Sequence, residues 1–310
     1  MGGERGDSNM RFSQFILAGC ALLVLATGAA HAQEMEPRSY SNAPVGINFL
    51  AASYGLSRGN VVTDAALPIE DFHVTAHTIG VGYVRVVGLF GRQAKLQATV
   101  PFSWLSGSAT VAGQDTSGAR TGLADARLKF SVNLFGGPAL APAEFRQYQQ
   151  KRIIGASVVV AVPIGHYEED KVVNLGANRW GVKPEIGVSN RYGRWYTELY
   201  TGIWVFSDNR EYLETKTLSQ EPIWATQGHI SHVFRPGMWL AVNGVYVNGG
   251  ETSVDGVPAH NFQKNWRFGA TFALPISQQH GLKFVFNTGV ATRIGADFDS
   301  FTLVYQYSWF

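Results

Sequence analysis

Apolar and polar side chains alternate along most of this chain with a period of two. In one segment Leu128, Phe130 and Val132 are separated by Lys129 and Ser131. Because a β-strand sends successive side chains to opposite faces, each such segment predicts a strand with one apolar and one polar face. The pattern recurs in segments 46–54, 73–87, 94–104, 123–134, 154–162, 180–190, 195–206, 223–234, 238–247, 265–274, 282–293 and 301–309, which gives about twelve strands.

The connections between these segments alternate between short and long. The short ones are 88–93, 192–194, 235–237 and 275–281, and the long ones are 55–72, 105–122, 164–179, 207–222 and 248–264, with a shorter member at 294–300. One short-side connection, 135–151, is extended, and its 141–150 stretch predicts a brief helix. Short turns on one rim and long loops on the other are typical of bacterial outer-membrane barrels. An even number of strands then places both termini on the periplasmic side.

Two all-β architectures fit this alternation. A soluble sandwich or barrel turns its apolar faces inward, whereas a membrane barrel turns them outward to lipid and encloses a polar interior. The tryptophans favour the membrane barrel, because every one falls within a few residues of a predicted strand end, where the membrane–water interface would hold an indole ring. They are Trp104, Trp180, Trp195, Trp204, Trp224, Trp239, Trp266 and Trp309.

The C-terminal residues favour the same architecture. Tyr305, Tyr307 and Trp309 alternate with polar residues up to a terminal Phe310. A last strand that ends in an aromatic residue resembles the sorting signal read by the barrel-assembly machinery, although Phe310 lies one residue out of register with the apolar face. We therefore predict a transmembrane, antiparallel, up-and-down β-barrel in the bacterial outer membrane, in contact with its lipid and lipopolysaccharide.

The first residues resemble a secretory signal peptide. Arg11 precedes an apolar run over 15–30, and Ala30-His31-Ala32 is a small-x-small cleavage signal. We predict a signal peptide over 1–32 and a barrel over 33–310, with Met10 as an alternative to Met1 as the start. Cys20 offers a lipoprotein alternative, but a cut there would leave most of the apolar run on the mature protein. Removal of residues 1–32 also removes the only cysteine, so the mature chain has no disulfide.

Composition and charge exclude several classes of protein. With 45% hydrophobic and 15% charged residues, the chain has too much apolar surface to be disordered. After the N-terminus no stretch approaches the roughly 18 consecutive apolar residues of a membrane-spanning helix. Twenty-five Lys and Arg against 23 Asp and Glu give a net charge of +2, which does not indicate a nucleic-acid partner.

If the apolar faces meet lipid, the interleaved charged residues line the interior. The candidate pore-lining residues are Lys95, Asp125, Arg127, Lys129, Lys183, Glu185, Glu198, Arg267, Lys283 and Arg293. Seven cations against three anions indicate a mildly positive interior, which would bias the entry of ionised solutes. The alternative is that opposite charges simply pair across the interior and hold its shape.

The expected size of the barrel limits the solute. Strands about 4.8 Å apart and tilted by about 40° place a twelve-stranded wall roughly 12 Å from the axis. Large inward side chains would narrow such a barrel to the width of a small molecule. The sequence leaves open whether a loop or the N-terminal segment, from Gln33 to Asn42, plugs this interior.

Several sequence blocks resemble a known family. They are TGLADARLKFSVNLFGGPALAPAEF at 121–145, the stretch 155–195 with PIG at 163–165, NLGANRW at 174–180 and KPE at 183–185, and then FRPG at 234–237 and TRIG at 292–295. Together they are similar to the outer-membrane transporter family named for the meta pathway of phenol degradation, over nearly the whole mature chain. The resemblance implies a barrel that passes aromatic or other hydrophobic compounds.

Enzymatic and metal sites have weaker support in the sequence. His229 and Ser231 share a strand face, as a base and a nucleophile would, but no carboxylate or amide follows at a spacing that would orient the base. His73 and His77 also share a face, yet four residues along a strand span about 13 Å, too far for one metal ion. The acidic stretch at 166–170 lacks the spacing of a calcium loop. We expect no catalytic residue, metal or cofactor.

Three functions remain open at this stage. The first is a channel for the passive uptake of small, aromatic or hydrophobic solutes, which the family resemblance and the charged interior favour. The second is a structural or adhesive barrel with a closed lumen, whose long loops carry the function. The third is a barrel enzyme that modifies lipids.

Overall fold

The computed structural model describes residues 35–62, 69–111, 113–171 and 173–310. The predicted signal peptide over 1–32, with Met10 and Cys20, lies outside the described residues, as does Gln33. These assignments therefore stay predictions.

The described residues form seventeen strands and one short helix. The strands are β1 (Asn48–Val62), β2 (Ile69–Leu89), β3 (Arg92–Val111), β4 (Gln114–Leu123), β5 (Ala126–Phe135), β6 (Arg152–Val162), β7 (Gly181–Tyr192), β8 (Trp195–Phe206), β9 (Asn209–Tyr212), β10 (Lys216–Gln220), β11 (Ile223–Arg235), β12 (Met238–Gly249), β13 (Thr252–Val254), β14 (Val257–Pro258), β15 (Gln263–Pro275), β16 (His280–Ala291) and β17 (Gly295–Trp309). The helix is α1 (Pro142–Phe145).

Thirteen of these strands form one closed antiparallel sheet. Its order is β2-β1-β17-β16-β15-β12-β11-β8-β7-β6-β5-β3-β4, and a further pairing of β2 with β3 closes the ring. β4 and β5 both pair with β3, β4 along residues 102–111 and β5 along residues 94–99, so the two occupy one position in the wall. The ring therefore has twelve positions, which confirms the predicted twelve-stranded up-and-down barrel.

The barrel turns its apolar side chains outward. Leu128 and Phe130 on β5 are 49% and 38% exposed, whereas Lys129 between them is 8% exposed. A soluble barrel would bury the leucine and the phenylalanine and expose the lysine, because water solvates the outer face. The observed polarity is the one that lipid requires. It confirms the membrane architecture predicted from the alternation.

Tight turns connect the strands at one rim. Gly193 joins β7 to β8 with φ +60°, and Gly237 joins β11 to β12 with φ +78°. Glycine suits both positions, because a side chain is rarely tolerated at positive φ. This rim also holds the beginning of β1 and the end of β17, so it is the periplasmic rim of an outer-membrane barrel.

Several predicted long loops are strands in the structure. The loops predicted over 55–72 and 105–122 are wrong, because β1 reaches Val62, β3 reaches Val111 and β4 begins at Gln114. Residues 295–300 likewise belong to β17. The ladder hydrogen bonds of these hairpins continue beyond the lipid-facing belt. Backbone pairing needs no apolar side chain, so the apolar alternation that marks a membrane strand ends earlier than the strand itself.

The loops predicted over 207–222 and 248–264 contain short strands that build a second, smaller sheet at the extracellular end. Strands β14, β13, β10 and β9 pair in that order. Tyr212, Leu218 and Val254 form its buried apolar core. On the other rim, the helix predicted within 141–150 is present as the single turn α1. None of the helices in the described ranges has the length and hydropathy to cross a membrane.

Candidate functional site

The N-terminal segment, defined here as residues 35–47, runs through the barrel interior before β1 begins. Its Met35 and Tyr40 are 7% and 1% exposed. The backbone N–H of Glu36 donates to Oε1 of Gln227 on β11 over 3.1 Å, and that of Arg38 donates to Oε2 of Glu198 on β8 over 2.7 Å. The segment therefore occupies the lumen, and the sequence alone left this question open.

Tyr40 is the most completely buried residue of the N-terminal segment. Its hydroxyl donates to Oε1 of Glu185 on β7 over 3.2 Å, and its ring meets the ring of Tyr200 edge-on, with centroids 5.0 Å apart. Two glycines in the wall leave room for it. A Cβ added at Gly155 would lie 2.1 Å from Cδ1 of Tyr40, and one at Gly187 would lie 2.5 Å from Cε2.

Two ion pairs lie in the same region. Lys129 on β5 pairs with Glu36 of the N-terminal segment. Lys183 and Glu185 on β7 pair over 2.9 Å, and Glu185 also accepts a hydrogen bond from Nε2 of Gln227 over 3.1 Å. Removing one partner of a buried pair leaves the other charge without compensation, at a cost of about 3–5 kcal/mol. Lys183 and Glu185 both belong to the wall, so only the pair of Glu36 with Lys129 holds the N-terminal segment directly.

Two further lysines face the same segment. Nζ of Lys95 donates to the backbone carbonyls of Ser39 and Ser41, over 2.9 Å and 2.8 Å. Lys283 on β16 lies within the electrostatic reach of Glu36 and Arg38. Five of the predicted pore-lining residues therefore interact with the N-terminal segment: Lys95, Lys129, Glu185, Glu198 and Lys283.

The other predicted charged residues lie in different surroundings. Arg267 on β15 is 6% exposed and donates from Nη2 to the carbonyl of Phe298 over 2.6 Å. Arg127 is half-buried on β5. Arg293 was predicted on a strand, but β16 ends at Ala291, so Arg293 lies exposed in the turn before β17.

Asp125 lies between the end of β4 and the beginning of β5, and it is 2% exposed. Its Oδ1 accepts from the N–H of Gly165 over 3.0 Å, and its Oδ2 accepts from the N–H of Ala177 over 2.8 Å. Both donors belong to the loop between β6 and β7, and the N–H of His166 in that loop also donates to the carbonyl of Leu123 over 2.7 Å. The carboxylate therefore holds this loop against the wall.

Of a hydrogen-bonded group on β11, β12 and β15, the sequence singled out His229 alone, and it did not predict the amide of Asn243 that orients the ring. His229 is 2% exposed; its Nδ1 bonds with Oδ1 of Asn243 over 2.9 Å and its Nε2 with Oε1 of Gln227 over 3.2 Å. Nδ2 of Asn243 donates to Thr271 over 3.1 Å. All of these residues lie on the polar faces of neighbouring predicted strands, and that placement could have indicated from the sequence that they meet in the interior. Both ring nitrogens of His229 thus have amide partners, and neither is bonded to Ser231.

Toward the extracellular end the interior becomes apolar. The sequence had predicted a polar lumen throughout. Trp204 on β8 is 2% exposed and turns inward, so its predicted place in the outer aromatic belt is wrong. Tyr200 and Tyr196 lie on the same face of that strand. The buried apolar cluster around Trp204 contains Met35, Val159, Ala161, Ile223, Ala225, Val245 and Val247, with Phe206 packed against it.

Arg179 borders this apolar cluster. It is 4% exposed, and its guanidinium lies 4.7 Å from the ring centroid of Phe206, which stacks on Trp204 at 6.0 Å. Burial lowers the pKa of Arg179 to about 10, so it keeps its charge at neutral pH. Among the described residues, neither Nη1 of Arg179 nor Nε1 of Trp204 has a hydrogen-bond partner. Both are donors with capacity for an acceptor.

Comparisons with known proteins agree with this architecture. The family model described as "Putative MetA-pathway of phenol degradation" matches residues 54–305. The crystal structure of the COG4313 outer membrane channel from Pseudomonas putida F1 superposes with a TM-score of 0.75 at 22% identity, over 89% of this chain and 100% of that one. No curated protein matches this sequence.

Two autotransporter barrels are also similar in fold. The transport unit of AIDA-I from Escherichia coli gives a TM-score of 0.53 at 9% identity, over 94% of this chain and 98% of that one. The β domain of the Bordetella autotransporter BrkA gives 0.51 at 12% identity, over 84% and 98%. The fold and the apolar outer belt together are those of a protein of the bacterial outer membrane.

Proposed function

This chain belongs to the family described as "Putative MetA-pathway of phenol degradation", and we propose that it is a passive outer-membrane channel. Its solutes are small and aromatic or otherwise hydrophobic. The apolar section of the interior around Trp204 carries the proposal. Sites for apolar small molecules are lined mainly by hydrophobic and aromatic side chains with a few polar groups. An aqueous pore has no need of such a lining.

The proposed route passes from this apolar section along the charged interior side chains. Lys95, Arg127, Lys129, Lys183, Glu185, Glu198, Arg267 and Lys283 are its candidate lining residues. Asp125, between β4 and β5, and Arg293, in the turn before β17, are assigned to the extracellular end of the route. The N-terminal segment stands across this route, so a solute passes only when that segment is displaced.

The tightly held N-terminal segment favours a second candidate, a structural barrel with a closed lumen. The two functions differ in one measurable property. A closed barrel transmits neither ions nor solutes, whereas a gated channel transmits solutes at a rate that depends on how firmly the segment is held.

Uptake of N-phenyl-1-naphthylamine tests the channel. This aromatic amine fluoresces in a lipid phase and is excluded by an intact outer membrane. We expect Gram-negative cells that produce the protein to show faster fluorescence onset than cells that produce an unrelated barrel of equal abundance. If the rate is unchanged, and planar bilayers containing the protein show no conductance, the closed-lumen function replaces the channel.

Interior charge supports a modest anion preference for any current that does pass. The proposed lining carries more cations than anions, although Glu36 neutralises part of the excess through Lys129. A reversal potential that favours cations in a salt gradient would contradict this preference.

Catalysis is not part of the proposal. The bonds from both ring nitrogens of His229 to Asn243 and Gln227 leave that ring without a free base toward Ser231. We infer further that β17 and Phe310 are read by the barrel-assembly machinery, and that the extracellular rim meets lipopolysaccharide. The aromatic end of the last strand supports the first inference.

A further inference from the structure

An apolar groove opens on the outer face of the barrel, on the side that meets lipid. It has a volume of about 390 Å³ and lies across β8, β11 and β12. It is lined by Trp195, Ile230, His232, Phe234, Leu240 and Val242. Because this face is surrounded by membrane, the material that reaches the groove is a lipid acyl chain.

His232 is the one polar side chain among these lining residues. It is paired in register with Trp195 on β8 and with Leu240 on β12. Its ring meets the ring of Trp195 at 4.5 Å and that of Phe234 at 4.9 Å, both edge-on. Its Nδ1 has no hydrogen-bond partner among the described residues. A polar ring on the lipid-facing surface is costly unless it lies near polar groups of the membrane.

The groove lies next to the periplasmic rim, where such polar groups are found. Trp195 follows the turn at Gly193, and Phe234 precedes the turn at Gly237. Two exposed cations, Arg194 and Arg235, are adjacent in sequence to these aromatic residues. The groove thus has an apolar body and a positively charged end at the depth of lipid headgroups.

We propose that this groove binds one anionic phospholipid of the periplasmic leaflet, with phosphatidylglycerol as the matching class. An acyl chain fills the space between Ile230 and Val242, and the phosphate lies beside Arg194 and Arg235. Arginine binds phosphate through paired, charge-assisted hydrogen bonds, and clusters of basic residues at a membrane surface select anionic lipids. Lipopolysaccharide is excluded by position, because it occupies the opposite leaflet.

Native mass spectrometry of the full chain released from detergent micelles tests the site. The probes are phosphatidylglycerol and phosphatidylethanolamine with identical acyl chains, each added at the same molar ratio. We expect one retained phosphatidylglycerol per barrel, with about tenfold lower occupancy by phosphatidylethanolamine. The double variant Arg194→Gln/Arg235→Gln should abolish this difference.

A matched control has the same loss of charge elsewhere on the periplasmic rim. Arg92 and Arg146 are exposed there and are remote in register from the groove, so Arg92→Gln/Arg146→Gln should retain the preference. Ile230→Trp fills the groove while both arginines stay in place, and it should also reduce occupancy about tenfold. Equal retention of the two lipids by the wild-type protein would overturn the proposal. An equal loss in the control variant, or full binding by Ile230→Trp, would also overturn it.

Discussion

The hydroxyl of Tyr40 donates a hydrogen bond to Oε1 of Glu185 over 3.2 Å, across 145 residues of sequence. Tyr40 belongs to the N-terminal segment and Glu185 to the barrel wall. This bond fixes the segment in the lumen, together with the pair of Glu36 with Lys129. Whether the lumen is open or closed therefore depends on contacts between the wall and a segment that is not part of the sheet.

Gly155→Ala should weaken the contacts of the N-terminal segment without substituting any residue of that segment. The added Cβ would lie 2.1 Å from Cδ1 of Tyr40, which has to move. We expect single-channel conductance in planar bilayers to rise at least threefold. Gly228→Ala is the control, because its Cβ has no neighbour closer than 3.9 Å. A rise in both variants would show that the effect comes from the strand and not from Tyr40.

Trp204→Leu should reduce uptake of aromatic solutes. It keeps an apolar side chain but removes the ring that stacks on Phe206. Ring stacking contributes about 0.5–1.5 kcal/mol beyond area, so the rate of N-phenyl-1-naphthylamine uptake should fall about three- to tenfold. Trp224→Leu, one position away on the neighbouring strand and facing lipid, should leave the rate unchanged. Equal rates for the two variants would place the solute outside the apolar cluster.

Asp125→Asn should release the loop between β6 and β7. An asparagine offers one acceptor where the carboxylate offers two, so the N–H of either Gly165 or Ala177 would face an amide NH₂. An unsatisfied buried donor costs about 1–3 kcal/mol. Hydrogen exchange at these two amides should accelerate about tenfold or more. Asp115→Asn, on the exposed β3–β4 hairpin, is the control, and loss of protection there as well would indicate general destabilisation.

Protonation of Asp255 in acid should destabilise the small extracellular sheet of β9, β10, β13 and β14. The N–H of Thr217 donates to Oδ1 of Asp255 over 2.8 Å and lowers the pKa of that carboxyl below its usual value. Because the folded pKa is depressed, the stabilisation is complete above the unfolded pKa and is lost as pH falls through the folded value. Limited proteolysis within 207–222 should therefore be slow at pH 5 and accelerate as the pH falls below 3.8, the ordinary pKa of an aspartate.

The corresponding variant is Asp255→Asn. It should be cleaved at pH 5 nearly as fast as the wild-type protein is in acid, with little further dependence on pH. Equal cleavage of the two proteins at pH 5 would contradict this role of the carboxylate.

Much of the architecture could be predicted from the sequence. The alternation around Leu128 and Lys129 determines a strand and the polarity of its faces, because side chains on a strand alternate strictly. Repeated twelve times, it fits a soluble or a membrane barrel, and the short turns on one side, the tryptophans at strand ends and the aromatic C-terminus favoured the membrane barrel. Strand ends beyond the lipid belt were missed, since backbone pairing continues there without apolar side chains to mark it.

The contents of the lumen were decided only by the tertiary structure. The sequence shows that Lys129 and Glu185 carry charge on polar faces, but not that Glu36 and Tyr40 reach them from a segment outside the sheet. Trp204 lies at a strand end, as an interfacial tryptophan would, yet turns inward. Periodicity is a local property of a strand, whereas the partners inside a closed barrel come from positions far apart in sequence, and only closure of the ring brings them together.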